Sequence, residues 1–345
     1  MASVKEYKCL NCKAGLTFDP ASQKWKCGYC FSEFTKAQLD VALKEEEQEQ
    51  LDQAMPDLDS YHCTSCGAEL IIDGTISATH CLYCKSPAII KSRFTGKFKP
   101  KRVIPFKLTK SQAEDLYRKW IKKRLFAPNE FKTQEEIKRV TGVYAPFWLF
   151  DCMVDGEIDG EGTKVSSWTV GEYRYTKTKY FRVVRKGKIK YHNIPVDASK
   201  KLDDTLMHKM EPYNYNDLTD FSLQYMSGFM AEKYDVEADE AGKVMKERVN
   251  DYTEERLKDT VHGYTSYLVQ GRQISVADEA HDYSLLPVYI LVNNYKEKEH
   301  IFMVNGQTGK VVGDAPISFL KQLVFAGSIF AIVWLVAVFG GALIV

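Results

Sequence analysis

The sequence lacks the short motifs on which most enzyme active sites are built. It has no GxxxxGK(S/T) phosphate loop, no HExxH, no GxSxG and no glycine-rich dinucleotide turn. It has almost no net charge either: 47 Lys and Arg stand against 46 Asp and Glu, so the total alone predicts no partner. Met1 to Lys8 carry charges and no apolar run, which predicts no secretory signal peptide and a reducing, cytosolic setting. Cysteine outside a pattern is nearly missing. Of nine cysteines eight fall in CxxC pairs, and only Cys152 stands alone, flanked by apolar residues and read as packing. These absences predict a protein that is not an enzyme and takes no small-molecule substrate.

The pairs that are present form a repeat. Cys9 and Cys12 are separated from Cys27 and Cys30 by 14 residues, Cys63 and Cys66 are separated from Cys81 and Cys84 by 14, and each cysteine is shifted by 54 positions from its counterpart. Zinc takes four ligands tetrahedrally, and four thiolates give a closed, structural site. CxxC lets two thiolates from one tight turn reach one ion, and 14 residues suffice for the two short strands of a ribbon. The expectation is two structural Zn2+ ions, one on Cys9, Cys12, Cys27 and Cys30 and one on Cys63, Cys66, Cys81 and Cys84. A redox use explains one CxxC motif but not four at matched spacing. His62 and His80, each next to a cysteine, are read as bystanders.

Charge is unevenly spread. From Asp40 to Asp59 eight acids face the single Lys44, and from Lys91 to Arg124 thirteen Lys or Arg face only Glu114 and Asp115. The acidic stretch reads as a helix ending at Met55-Pro56, with Leu39, Leu43 and Leu51 on one face. In the basic stretch Ser111 and Glu114 suggest a capping box opening an amphipathic helix with Leu116, Tyr117, Trp120, Ile121 and Leu125 as its apolar stripe. Such a cluster suits anionic lipid headgroups or, less well, nucleic-acid phosphates.

Further on the pattern turns to strands. Pro146 breaks Val143 to Phe150 and predicts an edge or irregular strand. Tyr180 to Val184 and Ile189 to Ile194, flanking Arg185-Lys-Gly-Lys188, suggest a hairpin. Asp151, Asp155 and Asp159, interspersed with glycines, fail the EF-hand spacing and read as turn residues. Glu237 to Val261 is helical by pattern, with Ala241, Met245, Val249 and Tyr252 on one face. Leu285 to Val292 and His300 to Val304 read as strands, and Asn305-Gly306 as a tight turn. Leu323 to Val345 has no charge, and 23 residues of helix span about 35 Å, so it predicts a transmembrane helix.

The fold class expected is therefore α+β. It comprises zinc ribbon 1 (1–35), an acidic helix and linker (36–59), zinc ribbon 2 (60–92) and a basic linker with an amphipathic helix (93–135). A mixed α+β domain (136–318) and one C-terminal transmembrane helix (323–345) follow. The paired ribbons, Tyr144-Ala-Pro-Phe-Trp-Leu-Phe150, Leu286-Pro-Val-Tyr-Ile-Leu291 and Phe302 to Gly313 with its Asn305-Gly-Gln-Thr-Gly-Lys310 core resemble bacterial transcription factor IIB-type zinc-ribbon membrane proteins. That resemblance covers nearly the whole chain. It implies a single-pass protein of the cytoplasmic membrane with its N-terminal bulk in the cytosol. It also implies an adaptor that docks protein partners there, such as a phage-shock-protein A homologue in envelope stress. The alternative is a nucleic-acid-binding ribbon protein.

Overall fold

The computed structural model describes residues 9–47, 59–63, 67–72, 81, 89–93, 100–133, 137, 139–201, 204–226, 228–296 and 298–341. Strands β1 (Leu16–Asp19), β2 (Lys24–Cys27) and β3 (Glu33–Phe34) form a three-stranded sheet in that order, followed by helix α1 (Lys36–Glu47). The other described strands all join one 11-stranded sheet. They are β4 (Asp59–Cys63), β5 (Glu69–Ile72), β6 (Ile89–Arg93), β7 (Arg102–Val103), β8 (Thr141–Val170), β9 (Tyr173–Asp197), β10 (Thr219–Asp220), β11 (Met230–Glu232), β12 (Ser266–Tyr295), β13 (Lys298–Asn305) and β14 (Val311–Gly313). The main path runs β10-β7-β12-β8-β11-β5-β4-β6, with β9 on β8, β13 on β12 and β14 on β13. Helices α2 (Lys110–Lys122), α3 (Asp204–Met210), α4 (Ala238–Lys258) and α5 (Phe319–Gly341) complete the fold.

The frame is a three-stranded antiparallel ladder, β9-β8-β12, two of whose strands run for 30 residues. Its inner half is buried on both faces. Tyr144, Trp148, Phe150 and Val154 of β8 enter one core with Ala241, Met245 and Val249 of α4. Val143, Ala145, Phe147 and Leu149 enter a second with Met207 and Met210 of α3. A strand covered on both sides reads as a continuous apolar run, which is why Val143 to Phe150 is a central segment and not the edge strand that Pro146 suggests.

The proline is accommodated by position. The Pro146 carbonyl accepts from Ala198 N–H at 3.1 Å, and a strand residue points its N and its O to the same side. Its missing N–H therefore faces the junction where β9 ends at Asp197 and β11 takes over at Tyr144. Pro287 lies where β13 ends, with its carbonyl accepting from Gly306 N–H at 2.8 Å. The two Pro-aromatic segments are antiparallel partners: Tyr144 pairs with Pro287, Ala145 with Leu286 and Pro146 with Leu285.

Several expectations are corrected. Arg185 to Lys188 is no turn but lies mid-strand in β9, and the hairpin closes at Gly171 (φ 61°) and Glu172 instead. Asp155 to Gly160 is likewise strand. Its glycines make room for neighbours, since a Cβ on Gly156 would meet Thr253 at 2.6 Å. Its acids pair across to β9, Asp159 with Arg182 at 2.5 Å and Glu157 with Lys186 at 2.7 Å. The capping box of α2 is Thr109 with Gln112, two residues before the expected Ser111 and Glu114. Tyr117 and Ile121 of its stripe are buried, whereas Leu125 is past the helix end and exposed. The second ribbon is not a separate unit, because β5 pairs with β11 and so adds β4, β5 and β6 to the main sheet.

The transmembrane helix is also corrected. Among the described residues no helix is long and apolar enough to cross a membrane. The helix concerned is α5, whose uncharged stretch begins at Leu323. Its first turn holds Lys321, whose Nζ donates to the Ala127 carbonyl at 2.6 Å and to Asn129 Oδ1 at 2.7 Å. With the span go the single-pass placement in the cytoplasmic membrane and the membrane and envelope-stress setting inferred from it. Expected residues 48–58, with Leu51, lie outside the described residues, as do Ala342 to Val345.

Candidate metal centre

Three tight turns of one kind build the cysteine sites. Cys9 N–H donates to the Ala14 carbonyl at 2.6 Å, and Lys13 N–H to the Cys9 carbonyl at 2.8 Å. Cys27 repeats this with Ser32 at 2.9 Å and Phe31 at 3.1 Å, and Cys63 with Ala68 and Gly67, both at 2.8 Å. The residue four beyond each cysteine is left-handed: Lys13 at φ 62°, Phe31 at φ 60° and Gly67 at φ 72°. Only at Gly67 is that conformation free of Cβ strain. The turn curls the backbone round the sulfur, leaving N–H groups to point at it, as Cys30 N–H does toward Cys27 Sγ at 3.5 Å.

At the ends of β1, β2 and β3 two such turns face each other. Cys9 and Cys30 sulfurs are 3.4 Å apart, Cys12 and Cys27 sulfurs 3.5 Å, and all four lie within 4.8 Å of one another. A Zn–S bond of about 2.3 Å in a tetrahedron requires sulfurs about 3.8 Å apart. Cys9, Cys12, Cys27 and Cys30 thus form a cluster that can hold a metal ion. Ser32 Oγ sits 3.2 Å from Cys30 Sγ and accepts from Asn11 Nδ2 at 2.8 Å, a layer that orients the ligand.

The electrostatics agree with a cation site. Bonds from the Ser32 hydroxyl and backbone lower the Cys30 thiol to about 6, and the Cys30 backbone N–H lowers Cys27. The Ala14 backbone pulls Cys12 down, but burial and the sulfurs of Cys30, Cys27 and Cys9 outweigh it and push that thiol up to about 12. Four sulfurs at this distance cannot all ionise unless a cation sits among them.

The second set is described only in part. Cys63 and Cys81 are buried, while Cys66, Cys84, His80 and the His62 side chain lie outside the described residues. Cys152 is buried at the centre of the ladder, and burial raises its thiol, which fits packing.

The first site is seated on the body of the molecule. Trp25, 1% exposed, packs against Phe18 at 4.9 Å and Tyr225 at 5.4 Å, and Gln23 Nε2 donates to the Phe106 carbonyl at 2.7 Å. Tyr225 falls in a stretch whose sequence has no period to read. The outer turn is bare: Tyr29 is 79% and Phe31 82% exposed. The basic stretch is less available than its composition suggests. Lys101 and Arg102 pair with Asp282, Lys107 with Asp217 and Arg118 with Asp115, and Arg124 lies 4.8 Å over the Trp120 ring.

The Asn305 to Lys310 segment is a structural clamp. Asn305 Oδ1 accepts from Gln307 and Thr308 N–H, both at 2.9 Å, and its Nδ2 donates to the Met210 carbonyl. Gln307 brackets Asn214 through both amide atoms, and Lys310 Nζ donates to the Glu211 carbonyl.

Over 231 residues the chain is 42% identical to the "Uncharacterized protein YdjG" of Bacillus subtilis (strain 168), an alignment covering 67% of this chain and 68% of that protein. The chain belongs to the YdjG family. No protein-family model matches it, and no solved structure does. Within the YdjG family the cysteine cluster therefore stands on its own geometry.

Proposed function

We propose that the chain is a non-enzymatic zinc-ribbon adaptor of the transcription factor IIB type, a metal-stiffened platform that docks a protein partner. The observation carrying this reading is that a closed four-sulfur site fixes a turn whose two large aromatics, Tyr29 and Phe31, point into solvent at 79% and 82% exposure. Exposed aromatics on a rigid turn are the usual anchors of a protein interface, because they bury much area at little entropic cost. A four-thiolate zinc has no open coordination position and does no chemistry on a substrate.

The same reasoning extends to two Zn2+ per chain. Cys63 makes the backbone turn that Cys9 and Cys27 make, and Cys66, Cys81 and Cys84 stand at the matching sequence positions. Elemental analysis of the purified chain tests this, with two equivalents expected and one or none counting against it. The docking claim is tested by co-purification from the native host with wild type and the double variant Tyr29→Ala/Phe31→Ala. The first partner to assay is a phage-shock-protein A homologue. Loss of a specific partner from the variant, with zinc retained, supports the adaptor. An unchanged set of partners refutes it.

A further inference from the structure

Beyond Thr163, which pairs with Ser266, β12 has ended and only β8 and β9 continue, as a two-stranded arm from Lys164 to Lys179. Seven residues of β8 carry it about 23 Å outward. A lone two-stranded ribbon buries little and is at best marginal by itself, yet this one is rich in aromatic side chains. Cross-strand register places Lys164 opposite Lys179, Ser166 opposite Lys177, Trp168 opposite Tyr175 and Val170 opposite Tyr173, all on one face. Nearer the body α4 and the loop after it cover that same face: Leu257 lies over Gly156, and Tyr264 over Gly162. Past Tyr264 it is open.

The open face alternates rings and cations. Trp168 and Tyr175 stack at 5.9 Å and 15°, with about half of each exposed, and Tyr173 is 72% exposed. Lys164 lies 5.6 Å over Phe181 and 5.3 Å over Tyr264. No carboxylate stands on this face of the arm. Glu161 is on the opposite face, where Asp159 and Glu157 neutralise Arg182 and Lys186, and Glu172 lies in the hairpin turn.

We propose that this face of the arm binds a single-stranded nucleic acid lengthwise, with Trp168, Tyr175 and Tyr173 stacking on bases and Lys164, Lys177 and Lys179 meeting phosphates. Base-tolerant single-strand sites elsewhere combine the same two elements, a cationic track and stacking rings. Lysines on an edge strand also keep it from pairing with a second copy, but that role needs no exposed rings beside them. A lipid surface fits less well. A bilayer meets the end of a projecting arm, whereas Lys177 and Lys179 lie about 13 and 20 Å behind Tyr173 along the strand, past a screening length of about 8 Å.

The test uses the full chain and the fluorescence anisotropy of labelled oligo-dT of roughly 16 nucleotides as a function of salt. A duplex of equal length and phosphatidylglycerol-containing vesicles are run alongside. Wild type is expected to bind the single strand. Lys177→Ala/Lys179→Ala lowers the log–log salt slope by about 1.4 and weakens binding several-fold. Trp168→Ala weakens it about five-fold or more with the slope unchanged, and Trp168→Phe restores most of the loss. Lys186→Ala/Lys188→Ala removes equal charge from the other face and leaves binding near wild type. The proposal is overturned if the oligonucleotide does not bind, if duplex or vesicles bind in preference, or if both lysine pairs have the same effect.

Discussion

Two glycines on the same face of the long ladder give a stringent comparison. A Cβ built on Gly160 lands 2.2 Å from the Leu268 carbonyl oxygen and 2.9 Å from the Tyr267 ring, whereas one on Gly187 meets only Leu257 Cδ2 at 3.6 Å. At Gly160 the obstacle is backbone, which cannot rotate away without opening β8 from β12 beside the bulge between Val269 and Gly271. Gly160→Ala should therefore cost about 1 to 3 kcal/mol, toward the upper end, as overpacking does. Gly187→Ala makes an ordinary contact and relieves the entropy cost of glycine in a strand, a gain of about 0.5 to 1 kcal/mol. The two variants should thus differ by about 2 to 4 kcal/mol. Urea unfolding followed by circular dichroism reads this as separated midpoints at similar slope. Equal midpoints would refute the close packing of β12 on β8 at Gly160 from which the figure is worked.

Three further outcomes are expected. Trp25→Ala removes a side chain sealed between Phe18 and Tyr225 and should destabilise by about 3 to 5 kcal/mol, visible as a lower thermal midpoint; a shift under a degree would mean that the ribbon is not seated there. A metal ion held by the four sulfurs should be released as pH falls well below neutrality, because protons compete with it for sulfur; a chromogenic chelator titrated against pH reads the release, and a flat response contradicts the thiolate shell. Arg248 Nη1 donates to the Pro195 carbonyl at 2.6 Å and to Glu211 at 3.2 Å, so Arg248→Ala should cost about 2 kcal/mol, less than a fully sealed pair. Burial raises Glu211 above its ordinary 4.5 and Arg248 opposes the rise, so its stabilising share is complete below about 4.5 and declines as pH climbs through the folded value. The variant should lose more stability between pH 4 and pH 7 than wild type, and parallel pH profiles would count against the pairing.

The cysteine turns were legible in the sequence because thiolate chemistry fixes spacing, and spacing survives in one dimension. Helix α4 was legible too, since Ala241, Met245 and Val249 keep the helical period on one buried face. The long strands were not. Aspartate and glycine are depleted in strands, so Asp155 to Gly160 reads as turns, although its alternation is that of a strand with packed glycines on one face and paired acids on the other. Arg185 to Lys188 misleads in the same way. The apolar run from Leu323 shows the converse, since composition alone reads it as a membrane span whereas among the described residues no helix is long and apolar enough to cross one. Seating the ribbon on Tyr225 is a tertiary choice with no local signature.

The great length of β8 also dictates an order of assembly. Its pairing with β9 starts at a two-residue turn and can zip outward locally, whereas pairing with β12 joins Thr163 to Ser266 and Thr141 to Ile290, across more than 100 intervening residues. Closing so large a loop is slow, and contacts of that range lower folding rates. A β8–β9 hairpin formed ahead of β12 would leave the apolar flank of β8 uncovered, and the eight Lys and Arg along β9 would disfavour pairing of neighbouring nascent chains with its edge. Substitutions that neutralise those cations should lower the yield of native protein at high expression more than they lower its stability once folded.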